Sequence, residues 1–249
     1  VKAQPHRSSR YFETVCCAGI GRDGKWRRQY PVPFRNLQDW QKFSRWQWIR
    51  YRYVKSPKDL RRESQKVDPA SLECLTEVPK PERSRLVNPL IRSSFADADA
   101  RGESLTLLRP REFEFSWQQK TDAELADERL KHAELARQLS LLDKPAKPLE
   151  PCPFRFLVKW TDQDGQLRRH ESDDWESVGA FWNFRRLYGE AEALRTLKSK
   201  YEDEYVPRGL ALAFSTHKRR NVTHGAENQW LLVGLIRLDD NAQSDLFLT

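Results

Sequence analysis

Phe154-Arg155-Phe156-Leu157-Val158-Lys159-Trp160 sets large apolar residues at every second position, the pattern of a strand with one buried face. Asp162-Gln163-Asp164-Gly165 follows as a hairpin turn, with residues 166–170 as its return strand. Ser172-Asp173-Asp174 then opens a helix through Trp175, Val178, Phe181, Trp182 and Leu187. Gly189 ends that helix, and residues 190–205 form a second. Residues 210–216 and 229–238 are two apolar strands joined by a polar loop. The order β-β-α-α-β-β predicts an α+β unit, an antiparallel αβ sandwich, over this part of the chain.

Working upstream, residues 143–153 hold Pro145, Pro148, Pro151 and Pro153, a semi-rigid linker and the clearest domain boundary. Thr121-Asp122-Ala123-Glu124 is a capping box that starts a helix over 121–142, with Leu125, Leu130, Leu135, Leu139 and Leu142 along it. Residues 104–117 read as two strands broken near Pro110. Residues 68–75 and 81–95 are candidate helices, with Asp68 capping ahead of Pro69. Residues 14–20 and 25–30 form a hairpin about Gly21-Arg22-Asp23-Gly24. Pro31 and Pro33 cannot continue a central strand, because they lack the amide donor. Residues 36–43 suit a short helix with Leu37, Trp40 and Phe43 at helical spacing. Residues 46–54 alternate, with Trp46, Trp48, Arg50 and Arg52 on one side and Ile49, Tyr51 and Tyr53 on the other. The expected organisation is a curved, barrel-like basic β module with a helical insert (1–120), a helix and Pro-rich linker (121–152), an α+β domain (153–240) and a C-terminal tail (241–249).

The 249 residues hold 44 Lys and Arg against 36 Asp and Glu, a net charge of +8. That charge is polarised. Residues 1–62 contain 16 basic and 4 acidic side chains, a balance of +12, and the remainder carries −4. No apolar run approaches the roughly 18 residues of a spanning helix, so no membrane partner is expected. With 9 Trp, 12 Phe and 7 Tyr the chain has the anchors of a folded core. Cys16, Cys17, Cys74 and Cys152 form no Cys-x-x-Cys pair, and the start of the chain is polar and basic without a signal-peptide pattern. Methionine is absent, so the initiator is expected to precede Val1 or to have been removed. A cytoplasmic, nucleoid-associated setting is expected.

Three constellations could carry chemistry. In the first, Arg27, Arg28, Arg35, Arg45, Arg50 and Arg52 interleave with Trp46, Trp48 and other rings. Cations that track phosphates beside rings that stack on bases suit a nucleic-acid surface; an aromatic core ringed by solvated arginines is the alternative. Lys218, Arg219 and Arg220 form a basic loop that contacts phosphate or is simply solvated. The second consists of two short motifs, Gln138-Leu139-Ser140-Leu141-Leu142 and Gln243-Ser244-Asp245-Leu246-Phe247. They resemble the pentapeptides with which bacterial replication and repair proteins dock on the replication sliding clamp. Gln138 or Gln243 would hydrogen-bond, while Leu141 and Leu142, or Leu246 and Phe247, fill an apolar pocket. Continuation of the helix stripe at 138–142, or packing of the tail on its own protein, would also account for them.

The third is His170-Glu171-Ser172-Asp173-Asp174-Trp175-Glu176. Asp173, Asp174 and Glu176 are candidate catalytic carboxylates of a metal-dependent nuclease, the one reading that requires a cofactor, a divalent metal. The competing reading is helix capping, with Ser172 or Asp173 as N-cap and Asp174 and Glu176 in the first turn. No histidine or cysteine spacing marks a metal site, and no phosphate-cradling glycine loop or nucleophile motif is present.

Glu13-Thr14-Val15-Cys16, Gly19-Ile20, Tyr30-Pro31-Val32-Pro33-Phe34-Arg35, Gln47-Trp48-Ile49 and Asp174-Trp175-Glu176 resemble a family of uncharacterised bacterial and archaeal proteins. The resemblance covers most of the chain and brings no activity with it. It implies cysteines of a metal knuckle before the segment matching His170, which this sequence lacks. It also implies a Gln-x-x-Leu-Phe-like element before the Pro-rich linker, at 138–142. The expected function is a nucleic-acid-binding accessory protein that docks on the sliding clamp in genome maintenance or mobile-element defence. The alternatives are a metal-dependent nuclease and a subunit of a ribonucleoprotein or defence complex.

Overall fold

The structure, a computed structural model, describes residues 1–8, 12–56, 59–140, 148–216 and 230–240. In chain order the first elements are β1 (His6–Ser8), β2 (Phe12–Ile20), β3 (Trp26–Val32), β4 (Gln47–Arg50), β5 (Tyr53–Val54), β6 (Ser64–Val67) and β7 (Glu73–Glu77). Then come α1 (Lys80–Val87), β8 (Ile91–Arg92), α2 (Phe95–Ala100), β9 (Leu105–Leu108), β10 (Glu112–Gln119) and α3 (Asp122–Ser140). The rest comprises β11 (Phe154–Thr161), β12 (Leu167–Glu171), α4 (Trp175–Tyr188), α5 (Glu190–Ser199) extended by a π-helical turn (Lys200–Tyr205), β13 (Leu210–Thr216) and β14 (Trp230–Arg237).

The expected α+β class is met. The expected barrel is not: the strands form several small sheets, none of them closed. One sheet has the order β1-β2-β3-β6-β5, and its central strand β3 runs on through Pro31 to Val32, where the prolines predict its end; among the described residues β4 pairs only with β7. The order β10-β11-β12 makes a second sheet, wholly antiparallel, and β14-β13-β9-β8 a third, in which β8 runs parallel to β9. β9 and β10 therefore pair with strands beyond residue 153, so the sheets cross the expected division at 120/121.

Every residue of β13 is buried, and it packs on both faces. Leu210, Leu212 and Phe214 join Phe115, Phe156, Trp160 and Phe181 in the largest core, with Leu194, Leu197 and Tyr201 from α5 and its extension. Ala211 and Ala213, on the opposite face, join Val87, Leu107, Val233 and Ile236 in a second core, against which Ile20, Trp26 and Trp46 pack. A strand buried on both sides reads as a continuous apolar run, as this one does.

Local signals explain the elements the sequence announces. Asp162 accepts from the amides of Asp164 (3.1 Å) and Gln166 (2.8 Å), closing the β11–β12 turn with Gly165 at φ +80°. Thr121 and Glu124 form the reciprocal capping box of α3. Leu125 of that helix is buried, whereas Leu130 is 67% exposed. The cap of α4 is Asp174, one residue later than expected, and its carboxylate accepts from the Glu176 amide at 3.1 Å. Three expected helices shrink. Residues 36–43 form only two 3-10 turns with Trp40 exposed. Residues 68–75 form one 3-10 turn and then β7, and residues 81–95 divide into α1, a 3-10 turn, β8 and the start of α2. Prolines 69, 81 and 89 each sit at the start of a short helix, where the missing amide is tolerated.

Candidate functional site

β4 pairs with β7 and stands off the sheet that holds β2 and β3. Between them lies a cleft of about 570 Å³. β2 and its turn bring Gly19, Gly21 and Arg22 to it, and β3 brings Trp26, Arg27 and Gln29. Trp46, Trp48, Arg50, Tyr51 and Tyr53 form the facing wall. The alternation expected through 46–54 does not hold. Arg52 donates its amide to Ser71 Oγ (2.7 Å), and its carbonyl accepts from the Asp68 amide (2.9 Å). The β4–β7 register slips between Gln47 and Ile49, and the bonds at Arg52 separate β4 from β5; Trp48, Tyr51 and Tyr53 all line the cleft.

Gly21 has a steric role here. A Cβ at this position would lie 2.9 Å from Arg27 Nη2 and 2.6 Å from Asp23 Oδ1, displacing the 2.8 Å pair between those two side chains. Trp46 has φ +67°, a left-handed conformation that costs a bulky residue roughly 1–3 kcal/mol. It is held by a 2.6 Å bond from the Val78 amide to its carbonyl and by Arg83, whose guanidinium lies 5.2 Å from its ring centre. Arg22 lies 5.1 Å from the ring centre of Trp48. Burial pushes the Cys17 thiol, also on the cleft, up to about 12, so it stays protonated and inert.

Behind this wall Arg45 reaches across the molecule. Its guanidinium lies 2.7 Å from Glu176 and 3.6 Å from Asp174, and Nη1 donates to the Leu235 carbonyl at 2.6 Å. Asp174, 1% exposed, also accepts from the Leu235 amide (3.2 Å) and from Ser177 Oγ (3.4 Å), whose hydroxyl bonds Tyr201. Burial pushes the Asp174 carboxyl up, and Arg45 pulls the other way. Burial would raise Glu176 as well, but Arg45 holds it below its ordinary range. Asp173 points its backbone, not a converging carboxylate, into this region: its amide donates to Leu232 and its carbonyl accepts from Gln4. Burial raises its carboxyl to about 7, with Asp174 adding to the rise.

A family profile described as Domain of unknown function (DUF8758) matches residues 1–93, and one described as Domain of unknown function (DUF8757) matches residues 87–249. The chain belongs to the DUF8757 family. Comparison with curated proteins and with solved structures gives no match. The DUF8757 segment therefore begins at the end of α1 and includes β8, β9 and β10, in keeping with the sheets that cross residue 120. Arg45, from the DUF8758 segment, is ion-paired to Asp174 and Glu176 of the DUF8757 segment.

The candidate residues divide sharply. Trp46, Trp48, Arg27 and Arg50 lie on the cleft; Arg50 is 72% exposed, 3.4 Å from Glu73. Arg52, 80% exposed and 3.0 Å from Asp68, lines an adjoining pocket of about 530 Å³ that shares Tyr53 with the cleft. Arg45 touches the cleft, but its charge faces the buried acids. Arg28 is internal. It is 3% exposed and donates to Ser215 Oγ (2.7 Å) and the Ser104 carbonyl (2.7 Å), so burial removes it from any phosphate surface. Arg35 pairs with Glu13 at 2.7 Å, away from the cleft. Asp174 caps α4 and pairs with Arg45, Glu176 pairs with Arg45, and Asp173 has neither role; among the described residues there is no cap or ion pair at Asp173 and no metal-holding group. Lys218, Arg219, Arg220, Leu141, Leu142, Gln243, Leu246 and Phe247 lie outside the described residues, and Gln138 lies near the end of α3. Arg22, Gln29 and Gln65 were not singled out by sequence. Gln29 alternates with the buried Arg28 and carries no charge or motif to mark it.

Proposed function

We propose that the chain binds single-stranded nucleic acid in the cleft between β2–β3 and β4. The convergence of Trp26, Trp46, Trp48, Tyr51 and Tyr53 on one cavity, with Arg22, Arg27 and Arg50 beside them, carries this reading. Rings stack on bases only when the bases are unpaired, and each such contact contributes about 1–3 kcal/mol. The adjoining pocket past Tyr53, with Arg52 and Lys66, offers a continuation for the phosphate backbone. The role proposed is that of an accessory factor in genome maintenance or mobile-element defence. The motifs at 138–142 and 243–247 add docking on the replication sliding clamp, tested by titrating the 243–247 peptide against purified clamp.

Arg50 and Arg52 form only exposed ion pairs, which contribute little to stability. Arg50→Glu combined with Arg52→Glu is therefore expected to leave the thermal midpoint nearly unchanged. Binding to a labelled single-stranded oligonucleotide should fall by about 100-fold or more, because two phosphate contacts become repulsions. Unchanged affinity in a fluorescence-anisotropy titration would remove these arginines from the interface.

A further inference from the structure

Two glutamines occupy an improbable place beside the cleft. Gln29 on β3 and Gln65 on β6 are paired in parallel register, 6% and 5% exposed. Tyr51 joins them. Gln29 Nε2 donates to the Tyr51 hydroxyl at 3.1 Å, and that hydroxyl donates to Gln65 Oε1 at 2.5 Å. Burying two amides is unfavourable unless their bonding capacity is filled. The chain of bonds engages one polar atom of each amide. Gln29 Oε1 and Gln65 Nε2 have no other side-chain hydrogen bond among the described residues, and Gln29, Tyr51 and Gln65 all line the cavity. An acceptor and a donor, fixed by one tyrosine among tryptophan rings, match the edge of a nucleobase, which presents a donor and an acceptor side by side.

We infer that this relay reads one unstacked nucleobase and makes the cleft base-selective. The inference rests on the nucleic-acid reading above and adds a specificity element to it. The rings hold the base by its faces, and Gln29 and Gln65 discriminate its edge. Gly19 keeps the relay in place: a Cβ there would lie 3.1 Å from Gln29 Nε2. The base can arrive within a strand or as a free nucleotide.

The test is anisotropy of short labelled homopolymers of A, C and T with the full chain, followed by competition with free nucleoside monophosphates. The wild type is expected to prefer one homopolymer by about 10-fold or more. Gln65→Leu and Tyr51→Phe are both expected to reduce that preference to about twofold or less. Tyr51→Phe keeps the ring and serves alone if Gln65→Leu does not fold. Equal affinity for every homopolymer, or a preference that survives Tyr51→Phe, overturns base reading while leaving nucleic-acid binding intact. Absence of binding to all of them overturns both. Competition by the monophosphate of the preferred base supports the inference with a free nucleotide as sufficient ligand; selective strand binding without competition supports it with the base read only within a strand.

Discussion

Asp173 and Asp174 are neighbours, yet only one has a cation. Asp173 titrates at about 7 in the fold against an ordinary 3.8, chiefly because burial disfavours its charge. Between about pH 4 and pH 7 the folded chain holds a proton that the unfolded chain has released, so this group lowers stability as pH rises through that window. Asp173→Asn is expected to flatten the profile and to exceed the wild type at pH 8 by up to about 4 kcal/mol in urea unfolding. Parallel wild-type and variant profiles would place the Asp173 carboxyl in water. Asp174 is held by Arg45, and Arg45→Met leaves its carboxylate buried without a cation. A loss of about 3–5 kcal/mol is expected in urea unfolding, and a loss under about 1 kcal/mol would contradict the buried ion pair. Sequence could place both residues among functional candidates, as a surface arginine and a metal-binding acid. It could not show that they neutralise each other, because the contact spans the length between β4 and α4.

Elements built from local patterns were legible. The β11–β12 hairpin carries its turn chemistry in Asp162 and Gly165, and α3 carries its capping box. The end of α4 is likewise written in Gly189, whose φ of +82° and ψ of +170° suit glycine alone. A Cβ there meets nothing within 4 Å, so Gly189→Ala isolates the backbone term. It is expected to cost about 1–3 kcal/mol in thermal or urea unfolding with circular dichroism unchanged; a neutral outcome would mean that the α4–α5 corner relaxes freely. Elements set by distant partners were not legible. β8 owes its existence to parallel pairing with β9, and β7, in a stretch expected to be helical, to pairing with β4. Trp46 departs from the strand alternation through its positive φ, and the break at Arg52 turns the next tyrosine toward the cleft. With the register slip between Gln47 and Ile49, which no local signal marks, these departures hid the site, since the alternation placed Tyr51 and Trp48 on opposite faces.

At the scale of the molecule, the two family segments share a core. Val87 and Ala3 pack with Leu107, Ala213 and Ile236, and the all-buried strand β13 lies between this cluster and the aromatic core of α4 and α5. The polarised charge acquires a location from this arrangement. Part of the +12 balance of residues 1–62 is internal, at Arg28 and Arg45, and part lines a cleft whose rings come from the same residues. The central claim is that this cleft binds unpaired nucleic acid. Its most direct test is the anisotropy of a labelled single-stranded oligonucleotide titrated with the full chain at a series of salt concentrations, beside Trp48→Ala. The account predicts binding whose logarithm falls linearly with log salt at a slope of about −2 to −3, from three to four phosphate contacts. It also predicts weakening of about 10-fold or more in Trp48→Ala, from one lost stacking contact. No binding at low salt, or equal binding by wild type and Trp48→Ala, would contradict it.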